Sequence, residues 1–292
     1  MIARLIRVMK RDGLIGLLVR IIDLIIARFR ILKHDGLSLI IVRTVAKILG
    51  VQGEMQRAKD KAWVVLKERH NYKVAYGAFK GMILSRDVWW SKYDRITQTL
   101  GIYEEHVLNR LIFFSTQGAQ RFIDIGAADG YFAVGMAYSK IYSEVYAFEI
   151  SSKGQEKIIS NASRNLCSEA VHVFGEASIT SLEKLINNET KSTVLIDIEG
   201  AEYNLLSNEM LSLLSGNYVI CELHPWLIEN GEELQNELLN RVSQIFNFEL
   251  ISRESYSPNL FPEFDDLSDE ERLVAVGEGR AKNMKWLVLT PK

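Results

Sequence analysis

Acids and small residues crowd together in one stretch, Phe122-Ile123-Asp124-Ile125-Gly126-Ala127-Ala128-Asp129-Gly130-Tyr131-Phe132. An apolar run ends on an acid, turns through Gly126 and Ala127, passes Asp129 and becomes apolar again after Gly130. Small residues at a turn let a ligand lie against the backbone. The spacing departs from the Gly-x-Gly-x-x-Gly fingerprint of dinucleotide sites, and Asp124 and Asp129 would repel a pyrophosphate. An acidic, glycine-containing loop suits a positively charged ligand.

Two further acids extend the pattern. The next apolar segment ends Tyr146-Ala147-Phe148-Glu149-Ile150, with Glu149 standing 23 residues after Gly126, a natural length for one helical crossover. An acid in that position commonly accepts ribose hydroxyls. The segment after it ends Phe174-Gly175-Glu176-Ala177, where an adenine amino group could be met. A nucleoside with cationic groups and no phosphate fits this series, and S-adenosylmethionine is such a molecule. The predicted cradle is Asp124, Gly126, Ala127, Asp129, Gly130, Tyr131, Glu149, Ile150, Glu176 and Ala177.

These residues need a scaffold that brings strand ends together. From residue 121 onward, short β-rich runs alternate with helical patterns. Strands are predicted at 121–125, 144–149, 171–174, 193–198, 218–223, 248–252 and 286–289. Helices are predicted at 131–138, 155–165, 181–187, 203–214 and 233–246. Such alternation specifies a doubly wound α/β sheet, whose ligands sit at the carboxyl ends of the strands. Upstream, 36–70 and 103–114 read as helical and 72–84 as a short hairpin around Gly77 and Gly81. Residues 252–285 read as a lid.

Residues 122–132, Glu149 and the block Leu195-Ile196-Asp197-Ile198-Glu199-Gly200-Ala201-Glu202 resemble the FkbM-like family of class I methyltransferases. Tyr103-Glu104 before the loop and Cys221-Glu222-Leu223-His224 after the fifth strand belong to the same resemblance, which runs from about residue 76 to the C-terminus. It implies a Rossmann-like methyltransferase fold: a mostly parallel seven-stranded sheet with an antiparallel last strand. It also implies S-adenosylmethionine as cofactor, with Glu104 at the methionine ammonium. The acceptor it implies is a hydroxyl of a sugar, glycan or natural product.

Methyl transfer to a hydroxyl needs in-line alignment and a destination for the proton. Asp197 ends the fourth strand, and Glu199 follows on the loop. Glu222 and His224, two residues apart, share one face at the end of the fifth. These four are the predicted catalytic cluster, with Asp197 also beside the cofactor. His224 suits a general base, its ordinary pKa being about 6.5. Asp197, Glu222 and His224 equally suit a divalent cation such as Mg²⁺, Mn²⁺ or Zn²⁺. Glu202 reads either as part of this cluster or as a helix-dipole acid. Trp89, Trp90, Trp226 and Trp286 read as an aromatic wall or as core.

The 292 residues are 48% hydrophobic and 25% charged, which excludes wholesale disorder and leaves room for one large domain with an appendage. Two cysteines exclude a disulfide framework and fit a reducing, cytoplasmic compartment. Residues 1–50 carry ten Lys and Arg against three acids, a net +7, which leaves −9 for the body. Residues 1–70 read as a basic, amphipathic helical arm and 71–292 as the methyltransferase domain. Within 2–32 the longest uncharged run is 13–19, far short of the roughly 20 residues of a membrane span. Arg20 and Asp23 also break any signal-peptide core. This arm either lies on the anionic inner face of the membrane or packs against protein, including a second copy.

An acidic body opposes phosphate tracking, so no nucleic-acid partner is expected. The rival functions are a methyltransferase acting on nucleic acid or protein, and a membrane-associated scaffold with a vestigial methyltransferase fold.

Overall fold

A computed structural model describes residues 53–87, 94–186, 189–254, 256–278, 280 and 282–292. The basic segment 1–32, and Trp89 and Trp90, lie outside the described residues. The chain divides into two compact units, Met1–Asp60 and Lys61–Lys292. The described part of the first is the opening of helix α1 (Glu54–His70).

Seven strands form the framework of the second unit: β1 (Arg121–Ile125), β2 (Glu144–Phe148), β3 (Val171–Phe174), β4 (Ser192–Ile196), β5 (Tyr218–Leu223), β6 (Phe246–Ser252) and β7 (Lys285–Pro291). They make one sheet in the order β3-β2-β1-β4-β5-β7-β6. Strands β1 to β5 run parallel, and β7 is antiparallel to both of its neighbours. This is a Rossmann-like α/β sheet, with the antiparallel last strand that was expected. The order reverses at β1 and β4, so the crevice of the fold opens at their carboxyl ends.

Side-chain alternation builds both faces of the sheet. Phe122, Leu195, Ile220, Trp286 and Val288 enter one core with Phe114, Tyr142 and Val134. Their strand neighbours Ile123, Ile196, Cys221, Leu287 and Leu289 enter the other, with Leu211, Leu214, Leu238 and Val242. A strand turns successive side chains to opposite faces, so continuous apolar runs serve two cores at once. Each fully buried large side chain contributes about 1.5–3 kcal/mol. Helices α4 (Tyr131–Tyr138) and α5 (Ser152–Arg164) follow β1 and β2. Helices α6 (Ile179–Glu183), α7 (Glu202–Leu205), α8 (Asn208–Leu214) and α9 (Gly231–Ile245) complete the crossovers.

Several local expectations differ from the structure. The hairpin expected over 72–84 is present in minimal form, as one antiparallel bridge, Lys73 to Ile83, flanked by bonds from Val74 N to Met82 O and Leu84 N to Tyr72 O. The Ala75 N–H bonds Thr99 O at 2.7 Å, so this backbone is tied to helix α2 (Asp94–Leu100). Helix α3 (Glu105–Thr116) starts two residues late because Glu104 is left-handed, at φ 44°. The helix predicted over 203–214 is broken into α7 and α8, where the Ser207 hydroxyl caps the second by accepting from Met210 N.

The segment proposed as a lid is largely a packed platform. Two 3₁₀ turns (Pro258–Leu260 and Pro262–Phe264) and helix α10 (Asp269–Val276) bury Phe261, Phe264, Leu267, Ala275 and Val276 against Leu66, Ile96 and Leu100. Buried Glu263 pairs with His70 Nε2 at 2.7 Å and accepts from the Tyr76 hydroxyl at 2.8 Å. Opening this segment would expose aromatic side chains and break the Glu263 bonds to His70 and Tyr76, which is costly. No helix among the described residues is long and apolar enough to cross a membrane.

Candidate active site

The loop after β1 folds back under the ends of its neighbours. Gly126 N and Ala127 N donate to Phe148 O at 2.9 and 3.0 Å, and Asp197 N donates to Ile125 O at 2.9 Å. Gly126 sits at φ +90°, and a Cβ there would lie 1.8 Å from Asp197 O. Only glycine permits both the conformation and the approach. One loop thus joins β1, β2 and β4 at the fold's switch point.

Glu149 is held in place by the backbone. Its two carboxylate oxygens accept from Ala128 N at 2.9 Å and Ser151 N at 2.8 Å. Gly154 supports it from below: a Cβ there would meet Glu149 Cγ at 2.6 Å. Each carboxylate oxygen has a second lone pair, so the fixed group can still accept two hydroxyls.

A cavity of about 730 Å³ opens above these strand ends. Eight acids line it: Asp94, Glu104, Asp124, Asp129, Glu149, Glu176, Asp197 and Glu199. No Lys or Arg among the described residues lines it. Burial, reinforced by the nearby Asp197 charge, pushes the Asp124 carboxyl up to about 8. The Tyr131 hydroxyl is buried without a hydrogen-bond partner among the described residues. Ile150, at the rim, is 79% exposed, an apolar surface suited to covering by a flat ring. This donor set fits S-adenosylmethionine: fixed acceptors for hydroxyls, acids for cations, one orphan donor for a carboxylate, and no partner for a phosphate.

Not every predicted residue faces the cavity. Gly130 opens helix α4 and packs against Ile158. Asp129 lines the cavity, but its carboxylate is paired with buried Arg95 at 2.8 Å. Glu104 is ion-paired with Arg280, and its N–H donates to Glu278 at 3.1 Å. From the supposed lid, the stretch around Glu278 and Arg280 is therefore what reaches the site. An adjoining chamber of about 300 Å³ shares Glu104 and Trp286 with the main cavity and takes in Glu222, Arg253 and Arg280. Trp286 is core on one side and cavity wall on the other.

The predicted catalytic cluster does converge. His224 Nε2 lies 3.6 Å from Glu199 Oε2, 3.6 Å from Glu222 Oε2 and 3.9 Å from Asp197 Oδ1. Its Nδ1 lies 3.0 Å from Glu202 Oε1, which also accepts the His224 backbone N–H at 2.8 Å. Glu202 Oε2 accepts from Gly200 N at 2.7 Å. Glu202 is fully buried and serves as the imidazole's anchor rather than as a helix-dipole acid.

His224 is only 2% exposed and sits behind Asp197 and Glu199, which line the cavity. Burial works against its protonation, but the Glu202 bond and the charges of Asp197 and Glu199 outweigh it, so the imidazole pKa is raised. Burial next to Asp197 pushes Glu222 up to about 11. The cluster as a whole attracts positive charge. Among its members Asp197, Glu199 and His224 have ligand atoms within 4.8 Å of one another. Arg95 and Arg280 were missed from the sequence, and of the two readings left open for Glu202 the structure favours membership of the cluster.

No family model matches this chain, and no curated protein matches it. Several solved methyltransferase structures are similar to it. An O-methyltransferase from Bacillus cereus in complex with S-adenosylhomocysteine is 13% identical, with 85% of this chain and 96% of that one covered and a TM-score of 0.44. The O-methyltransferase TomG from Streptomyces achromogenes, involved in tomaymycin synthesis and solved with S-adenosylmethionine, is 14% identical over 82% and 91%, at 0.44. An rRNA methylase from Streptococcus thermophilus is 10% identical over 64% and 95%, at 0.43.

Proposed function

We propose that this chain is an S-adenosylmethionine-dependent methyltransferase that acts on a hydroxyl of a sugar, glycan or related natural product. The observation that carries the cofactor half is the cavity at the switch point, lined by eight acids and no Lys or Arg among the described residues. The resemblance of the 195–202 and 221–224 blocks to FkbM-like enzymes supports the acceptor half.

Bound S-adenosylmethionine supplies a methyl group made electrophilic by its sulfonium. Glu149 binds the ribose hydroxyls with a carboxylate already oriented by Ala128 and Ser151. Glu104, shared with Arg280, and Asp124, whose proton a nearby cation would displace, would hold the ammonium, and the Tyr131 hydroxyl would donate to the carboxylate. Ile150 and Ala177 would cover the adenine, with Glu176 for its amino group. Asp197 and Glu199 face the acceptor, whose hydroxyl Asp197 is placed to accept from, with Glu222 as its neighbour behind. Glu222 and His224 stand behind them and set the charge of that face.

An acceptor made of phosphates fits poorly with this acidic lining, which argues against a nucleic-acid substrate. Titration calorimetry with S-adenosylmethionine, S-adenosylhomocysteine and NAD tests the reading. The first two should bind and NAD should not. Binding of NAD in preference would overturn it.

The net +7 of residues 1–50 supports, in this reading, contact of the basic segment 1–32 with an anionic membrane surface. Flotation with anionic liposomes should carry the full chain and leave a chain lacking residues 1–32 behind. Equal flotation of both would make the segment a protein-packing or self-association helix.

A further inference from the structure

We propose that Asp197, Glu199 and His224 Nε2 bind one divalent transition-metal cation, Mn²⁺ or Zn²⁺, on the acceptor side of the cavity. Four observations converge on it. First, these three side chains each offer a ligand atom within 4.8 Å of the others. The separations from Nε2, 3.6 Å to Glu199 and 3.9 Å to Asp197, are too long for hydrogen bonds. They approach the roughly 3.4 Å edge of a tetrahedron of N and O atoms around a cation bonded at about 2.1 Å. A small inward movement of the two carboxylates toward Nε2 brings these separations to that edge.

Second, the ring is oriented for ligation. Glu202 holds the Nδ1 side at 3.0 Å and the backbone N–H of the same residue at 2.8 Å, so Nε2 is aimed at the carboxylates. A carboxylate behind a histidine, fixing its tautomer, is the arrangement that supports imidazole on a metal.

Third, the pocket contains orphaned acceptors. Asp197 Oδ1 and both oxygens of Glu222 are buried with no hydrogen-bond partner among the described residues except one another. Glu222 is 1% exposed, and its Oε2 stands 3.6 Å from the same Nε2. Buried acceptors left unmatched are costly, and a cation satisfies them together.

Fourth, among the described residues no Lys or Arg forms an ion pair with Asp197, Glu199, Glu202 or Glu222; His224 alone does. Beyond the imidazole itself, and Arg280 acting through space on Asp197 and Glu222, no side chain among the described residues supplies positive charge to this group of four acids. One imidazole among carboxylates favours Mn²⁺ or Zn²⁺ over the harder Mg²⁺ and Ca²⁺. Because Asp197 and Glu199 also line the large cavity, a cation here is within reach of an acceptor hydroxyl, which it orients and acidifies with loss of the proton to solvent. That role rests on the proposed methyl transfer; the existence of the site does not.

The test uses the full chain stripped with a chelator and titrated by calorimetry with Mn²⁺, Zn²⁺ and Mg²⁺, without cofactor. Mn²⁺ or Zn²⁺ should bind with a stoichiometry of one and raise the melting temperature, and Mg²⁺ should bind more weakly. Glu199→Gln, at a half-exposed position that tolerates change, should weaken binding about tenfold or more, as should His224→Gln. X-ray absorption of the Zn²⁺ form should show one nitrogen among oxygen ligands. Absence of saturable binding up to millimolar metal, or binding indifferent to Glu199→Gln, overturns the site. A parallel titration with S-adenosylmethionine keeps the two ideas apart: cofactor binding without metal binding defeats only the cation site, and metal binding without cofactor binding defeats only the methyltransferase reading.

Discussion

Glu202 and His224 are joined twice: one carboxylate oxygen, Oε1, accepts the backbone N–H of His224 at 2.8 Å and lies 3.0 Å from its Nδ1. The acid belongs to the helix that follows β4, and the histidine follows β5. Their union locks two neighbouring strand ends and fixes which ring nitrogen faces Asp197, Glu199 and Glu222.

The consequence is testable at Glu202. Glu202→Gln should lower metal affinity and turnover about 10–100-fold, the usual effect of losing such a partner. Affinity for S-adenosylmethionine should stay within about twofold, because Glu202 does not line the cavity. Calorimetry with each ligand measures both. Equal loss of the two affinities would make Glu202 a residue of general stability.

Glu149→Ala should weaken S-adenosylmethionine binding by roughly 1.5–3 kcal/mol for each charged hydrogen bond lost. It also frees Ala128 N and Ser151 N, so the melting temperature should fall as well. Glu149→Gln keeps one acceptor and should lie between. Unchanged affinity in both variants would remove Glu149 from the ribose role.

Gly126→Ala forces a side chain into a left-handed residue and against Asp197 O. We expect a loss of about 3 kcal/mol or more in urea unfolding, with cofactor binding abolished in the folded fraction. A variant as stable as the parent would mean the loop relaxes freely and is no rigid cradle.

Asp124 links stability to pH. Burial lifts its carboxyl from 3.8 to about 8 in the folded chain. Between those values the folded state keeps a proton that the unfolded state has released, so stability falls as pH rises across the window and levels off above it. Asp124→Asn should remove this slope, on the order of a few kcal/mol by pH 7 in metal-free, cofactor-free protein. Urea midpoints from about pH 5 to pH 8 in both proteins measure it. Parallel profiles would show that Asp124 titrates normally.

Glu263→Ala should loosen the platform that covers α2. Losing the bonds to His70 and Tyr76 is expected to cost about 1–3 kcal/mol and to speed amide exchange in residues 256–278. Exchange unchanged there would show that the apolar contacts alone hold the segment.

Strand positions, the acidic loop and the order of acids along the strand ends were legible in the amino-acid sequence. Runs of about five residues rich in β-branched and aromatic side chains and bounded by turns are too short for helices and read as strands, and a loop such as 124–130 takes its local shape from its own glycines. The partnerships were decided by the tertiary structure. Arg95 neutralises Asp129 from 34 residues away, Arg280 reaches Glu104 from 176 away, and Glu202 anchors His224 from 22 away. A carboxylate reads the same in sequence whether it meets solvent, a ligand or an arginine, because its partner is set by how elements cross. The same holds for residues 252–285. Their prolines and acids signal a loop, but only the docking of Phe261 and Phe264 on Leu66 and Ile96 makes that loop a platform, since burial is a property of two surfaces and a local sequence contains one.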